Sequence, residues 1–196
     1  MKHYKTIVWR GCLVLALALL PAGCLTPGPD DSSSGVLSSS DRARMDSSAT
    51  SALKTLYADN PAARELGKKA KAVLVFPDVV KGGFMIGGQI GNGVLLRKGR
   101  AVGYYNLTAA SYGLQAGLQR FGYALFLMNA SAMDYLKKSG GWEVGVGPSL
   151  VIVDGGMAKT MTTTTLRDDV YAFVFDQTGL MAGAGLQGSK ITRVDR

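Results

Sequence analysis

Three glycines near the C-terminus, Gly183, Gly185 and Gly188 in "GLMAGAGLQGSKITRVDR", stand at the spacing G-x-G-x-x-G. In a dinucleotide-binding fold such glycines let a pyrophosphate lie against bare backbone at a helix N-terminus, and an acidic residue about twenty positions on takes the ribose. Only residues 189–196 follow Gly188, which leaves room for neither the helix nor the acid. The spacing is therefore read as strand glycine that permits tight sheet curvature. No P-loop spacing occurs.

The other groups able to do chemistry are few. The single histidine is His3, inside a segment expected to be removed. That argues against serine and cysteine hydrolases with an imidazole base and against zinc sites built on histidine. The only glutamates are Glu65 and Glu143, and Asp168 and Asp169 are adjacent, which in a strand would send them to opposite faces and between "TTTTL" and "VYAF" suggests a turn. A hydrolase using Asp168 and Glu143 stays open as an alternative, but the expectation is a noncatalytic chain with no cofactor and no metal.

Basic residues gather in two sets: Arg64, Lys68, Lys69, Lys71 and Lys81, and a hairpin tip of Arg97, Lys98 and Arg100. Near an acidic membrane each such charge contributes about 1 kcal/mol. The sets read either as a site for anionic phospholipid or as solvated faces of a structural or protein-interaction lipoprotein. Nucleic acid is not expected, because export removes the chain from it and Tyr104, Tyr105 and Tyr112 alternate like packing residues rather than stacking platforms.

Export is read from the N-terminus, where Lys2, Lys5 and Arg10 precede "GCLVLALALL" and then "PAGC". The apolar run is far shorter than the roughly 20 residues of a membrane-spanning helix, so residues 1–23 are expected to be a signal peptide. "LPAGC" resembles a bacterial lipobox, with Pro21 where Leu is usual, and implies lipidation of Cys24; a plain secretory cut nearby is the alternative. Leu25 rather than Asp favours the outer membrane of a bacterial envelope. Removing the signal lowers the formal charge from +8 to +5 and takes Cys12 with it, so no disulfide is expected. Residues 24–40, "CLTPGPDDSSSGVLSSS", have almost nothing to bury and are expected to form a disordered tether.

A single domain is expected over 41–196. Met45, Ala49, Ala52, Leu53, Leu56 and Tyr57 recur at helical spacing and predict a helix from Asp41 to Tyr57, capped by Ser40 or Asp41. Asn60 as cap and Pro61 at the first position predict a second helix to about Lys71. Glu65 and Lys69 are placed to pair, leaving Arg64, Lys68 and Lys71 on one face. Short apolar or alternating runs follow, split by glycine and read as antiparallel strands, with Asn92-Gly93 the stronger hairpin signal and Lys98-Gly99 and Asp154-Gly155 weaker ones. "NASAMDYLKKSGG" predicts an inserted helix capped by Asn129 or Ser131. The expected fold class is α+β: a strongly curved antiparallel sheet, barrel- or sandwich-like, with N-terminal helices and one inserted helix.

Over Asp41 to the C-terminus, "AKAVLVFPDVVKGGFMIGGQIGNGVLL", "SYGLQAGLQ", "ALFLMNASAMDYL", "VGVGP" and "TGLMAGAGLQGSKI" resemble the SYLF-domain family of lipid-binding proteins. "GLMAGAGLQG" matches that family's closing "GLFAG-x-x-LEG", with Gln187 at the usual Glu. The family includes actin-regulating endocytic proteins of eukaryotes that bind phosphoinositides, and bacterial exported proteins. The resemblance implies lipid binding at the amphipathic, basic start of the domain, here Asp41 to Lys71. Actin binding is not carried over to an exported bacterial chain; phosphatidylglycerol or cardiolipin supplies the phosphate charge instead.

Overall fold

The computed structural model describes residues 37–138, 140–144, 147–153 and 168–194. The expected signal peptide, Cys24, most of the tether and the Asp154-Gly155 turn lie outside the described residues.

Helix α1 runs Ser39–Asp59 and α2 runs Pro61–Lys69. The cap of α1 is Ser38, not Ser40 or Asp41. Its hydroxyl accepts from the Asp41 N–H at 3.1 Å, and the Asp41 carboxylate in turn takes the Ser38 hydroxyl and the Arg44 guanidinium. These bonds, the Ser38 hydroxyl first, hold the Asp41 carboxyl below its ordinary range. Asn60 caps α2 as expected, its side chain accepting from Ala63 N–H at 3.0 Å. The helix stops two residues short of Lys71 because the Lys71 N–H is captured by the Leu127 carbonyl at 2.8 Å, which draws the chain into the sheet.

Three strands of unusual length dominate the domain: β1 (Ala72–Arg97), β2 (Arg100–Leu127) and, after a short helix and two short strands, β5 (Val170–Arg193). Most of the short strands expected from the glycine punctuation are therefore segments of these three. Lys98 and Gly99 form the tight turn between β1 and β2, both with positive φ (49° and 75°), the geometry a two-residue hairpin needs. Asn92-Gly93 makes no turn. Gly93 pairs with Tyr105 inside the ladder, and a Cβ there would lie 2.5 Å from the Phe76 ring, so that glycine serves close packing.

The strands keep pairing while they bend. β1 folds back on itself so that Gly83 lies against Gly87 and Gly93 against Phe76. Met85 (φ 61°) sits at the register shift between Phe84 and Ile86, and Gly113 and Gly117 of β2 have φ of 154° and 142°. The result is a three-stranded sheet creased across its middle, its two arms facing each other. Helix α3 (Ala130–Leu136), capped by Asn129, and strands β3 (Trp142–Glu143) and β4 (Leu150–Val153) complete it, in the order β1-β2-β5-β3 with β4 also on β5. Helix α3 ends at Leu136, short of the Gly140 stop expected. β4, which precedes β5 in the chain, pairs parallel to its first residues, Val170–Phe173, so the sheet is mixed rather than wholly antiparallel. The fold class is α+β with a strongly curved sheet.

Two cores follow from strand alternation. Between the arms, Leu74, Phe76, Tyr105, Leu107, Leu125 and Ile191 pack with Leu136 of α3 and Trp142 of β3. On the outer face, Val73, Val75, Val94, Leu96, Tyr104 and Phe126 pack against Ala49, Leu56, Ala63 and Leu66 of the two N-terminal helices. Because helices cover that face, "AVLVF" is buried on both sides and shows no polar alternation.

Candidate functional site

The basic residues singled out in the sequence separate into three places. Arg64 and Lys68 of α2, Lys71 of the link and Lys98 of the β1–β2 turn border one groove of about 310 Å3. Its apolar wall comes from Leu53, Tyr57, Ala70, Val73 and Leu96. Arg97 and Arg100 flank the same turn as an exposed register pair without lining the groove, and exposed Lys69 does not line it either. Lys81 is elsewhere: it borders a separate cavity between the arms of the sheet, with Gln89, Gln119 and Tyr123. Burial against that cavity pushes the Tyr123 hydroxyl up to about 12.

Each groove cation is placed by a particular interaction. Two backbone bonds fix Lys71 and Lys98: the Lys71 N–H on Leu127, and the hairpin pairing of Arg97 with Arg100 around Lys98. Lys68 donates to Glu65 at 2.6 Å, so Glu65 pairs one turn on with Lys68 rather than with Lys69 as expected. That hydrogen bond first, and the charges of Lys68, Lys69 and Arg64 after it, lower the Glu65 carboxyl. Arg64 donates from Nε and Nη2 to the Tyr57 carbonyl at 2.9 and 2.6 Å, satisfying an orphan acceptor at the end of α1. Among the described residues the Lys71 and Lys98 side chains make no hydrogen bond or ion pair, so their charges stay available to an anion. The apolar wall carried no signal in the sequence as part of a site. Leu53 and Tyr57 read simply as the buried stripe of α1, and burial raises the Tyr57 hydroxyl.

The carboxylates behave as structural groups. Asp169, in the bend before β5, accepts from Asn129 and from the Ser149 N–H at 2.9 Å, tying the α3 cap to the residue before β4. The Asn129 bond first, then Ser149, lowers its pKa. A carboxyl lowered in the folded state stabilises the fold above its unfolded pKa, and that stability is lost as pH falls through the lower folded value. Asp169→Ala is expected to reduce the midpoint of thermal unfolding by a few degrees at pH 7, the difference from the parent vanishing in acid below the ordinary aspartate range. An unchanged difference at low pH would contradict the role. Asp168 borders the Tyr171 hydroxyl, and Glu143 lies exposed on β3 opposite Lys190.

Residues 108–196 match the model of the family described as Ysc84, Las17-binding protein actin regulator. Over those residues the match supports the SYLF-domain family. No curated protein matches it. The matched part of the SYLF domain takes in most of β2, α3 and β3 to β5, whereas Arg64, Lys68, Lys71 and Lys98 of the groove precede it. Actin regulation and Las17 binding belong to the family's description; SYLF domains as a class are not a known enzyme family.

Proposed function

We propose that this SYLF domain is a noncatalytic module that binds the phosphate headgroups of anionic phospholipid in the basic groove, on a chain anchored through Cys24 in a bacterial envelope, at the outer membrane. The observation that carries the reading is the convergence of Arg64, Lys68, Lys71 and Lys98, from three separate segments, on a groove with an apolar wall. Cations at a rim with apolar surface beneath suit a lipid, whose phosphate and first methylenes need both.

Magnitude explains why the anchor matters. Four basic side chains at about 1 kcal/mol each give about 4 kcal/mol, which corresponds to a dissociation constant of about 1 mM. Such a site is nearly empty for a freely diffusing protein at micromolar lipid and about half filled at millimolar lipid. In this proposal 24–40 act as a tether; a flexible chain of that length has a root-mean-square reach of roughly 20–25 Å, and a tether of that kind supplies an effective concentration in the millimolar range.

Flotation on phosphatidylglycerol vesicles and on phosphatidylcholine vesicles, with Cys24→Ala chain in rising salt, tests the proposal. The expected result is a larger bound fraction on the anionic vesicles, the excess disappearing as screening shortens from about 10 Å at 0.1 M salt. An excess absent at every salt concentration would favour a structural or protein-interaction role with solvated basic faces.

A further inference from the structure

The three long strands reverse their polarity along their length. At the helix end both sheet faces are apolar and covered. At the crease the inner face carries Ser111, Gln115 and Gln119, with Gln115 donating to the Ser111 hydroxyl at 2.6 Å while both are buried. The outer face there carries Phe84, Ile86, Tyr112, Leu114, Leu180 and Leu186, which are 69% to 88% exposed. The register joins them into one patch: Ile86 pairs with Tyr112, and Tyr112 with Leu186. No charged residue occurs in 82–96, 101–119 or 177–189.

The geometry points to the crease as a surface that inserts into the interfacial layer of a lipid bilayer. Alternation with apolar side chains out and polar ones in, over segments of about ten residues, is how strands face hydrocarbon, and a charge-free convex patch of this breadth is unusual on a surface left in water. Complementarity favours lipid over a second copy of the chain. Two convex ridges meet along a line, a geometry poorly suited to burying the roughly 1,000 Å2 a specific interface needs, whereas fluid acyl chains conform to a ridge. Strand-to-strand pairing is also hindered, because the crease and the Met85 irregularity (φ 61°) break the outer edge of β1.

Depth is limited by the backbone. Among the described residues β1 is an edge of the sheet, and unpaired N–H and C=O groups each cost several kcal/mol in hydrocarbon. The side chains therefore sink about 5–10 Å, to the boundary of headgroups and acyl chains, while the edges stay hydrated. Lys81 and Lys190, which make no ion pair among the described residues, bound the charge-free segments 82–96 and 177–189 in the sequence. The crease lies about a dozen residues along β1 from the groove, roughly 40 Å, so one flat bilayer does not touch both, and the inference stands apart from the function proposed for the groove.

The test places a reporter in the crease of the full chain with Cys24→Ala, its emission read as the difference from the parent chain, which carries Trp9 and Trp142. Leu114→Trp is compared with Ile152→Trp on exposed β4, using phosphatidylcholine vesicles in high salt, with and without bromine on the acyl chains. Emission from the Leu114→Trp reporter is expected to shift to the blue and to be quenched by brominated lipid at least threefold more than emission from the Ile152→Trp reporter. Adding Leu180→Asp and Leu186→Asp is expected to weaken vesicle binding by roughly tenfold per side chain, with circular dichroism unchanged. Lys68→Glu with Lys71→Glu leaves the crease reporter's signal on these neutral vesicles intact, which separates the crease from the groove. Water-like emission and equal quenching at both positions would overturn the inference, as would a blue shift that needs no lipid and follows formation of a dimer.

Discussion

Lys71→Glu combined with Lys98→Glu is expected to weaken binding to phosphatidylglycerol vesicles by about a thousandfold in low salt. These two are the most informative pair because neither side chain has a partner among the described residues, whereas Lys68 is engaged by Glu65 and Arg64 by the Tyr57 carbonyl. Reversing both changes four units of charge at about 1 kcal/mol each, and about 4 kcal/mol is close to three powers of ten. The neutral pair Lys71→Gln and Lys98→Gln is expected to lose about half that free energy, or roughly thirtyfold. Lys137→Glu, at the C-cap of α3 and away from the groove, makes half of that charge change and is expected to change affinity less than threefold at 0.15 M salt, where screening acts beyond about 8 Å. Equal losses for the groove pair and for Lys137→Glu would mean that net charge, not the groove, governs attraction. Sedimentation of both sets at several salt concentrations decides between these outcomes.

Gly117→Ala is the second large effect, and it falls on stability. Gly117 holds φ of 142°, and a Cβ there would collide with the Leu180 carbonyl oxygen and stand 2.8 Å from the Met181 Cα, both backbone atoms of the neighbouring strand. Backbone cannot step aside as a side-chain tip can. The strain of the dihedral, about 1–3 kcal/mol, adds to an overpacking cost of about 1–3 kcal/mol, against a total stability of only about 5–15 kcal/mol for a domain of this kind. A drop of about 10 °C or more in the unfolding midpoint is expected. Gly188→Ala is the contrast: nothing lies within 4 Å of the added carbon, and the midpoint is expected to stay within about 2 °C. This pair also tests the reading of G-x-G-x-x-G, since glycines serving sheet geometry are needed where strands crowd and not where a phosphate would lie. Loss of stability at Gly188 with tolerance at Gly117 would contradict the crease.

Local signals were legible at most helix caps and at the tight turn, though among the clustered serines before α1 the cap is Ser38 rather than Ser40 or Asp41. Asn60 with Pro61, Asn129 and Lys98-Gly99 each act within three residues, and the chain shows them directly. The Asn92-Gly93 signal failed because a tertiary contact, the Phe76 ring, had the stronger claim on the glycine. Strand number failed for a related reason: Gly83, Gly113 and Gly117 bend strands whose ladders continue, and composition does not distinguish a bend from a break. The basic site was legible only in part. Arg64, Lys68 and Lys71 are near in sequence, but the arrival of Lys98 depends on the hairpin of β1 and β2, and the departure of Lys81 depends on the register shift between Phe76 and Val79 that turns it toward the inner face. Alternation over 82–90 and 110–118 was visible too. Period does not say which face points inward, so the exposed apolar crease emerged only from the fold.

The most direct test of the central claim, that the groove between α2 and the β1–β2 turn receives an anionic headgroup, is an amide chemical-shift titration with short-chain, monomeric phosphatidylglycerol. The account predicts saturable shifts centred on Arg64, Lys68, Lys71, Lys98 and Gly99, lost in the Lys71→Glu and Lys98→Glu protein. Shifts absent from these residues, or scattered in proportion to surface charge, would contradict it.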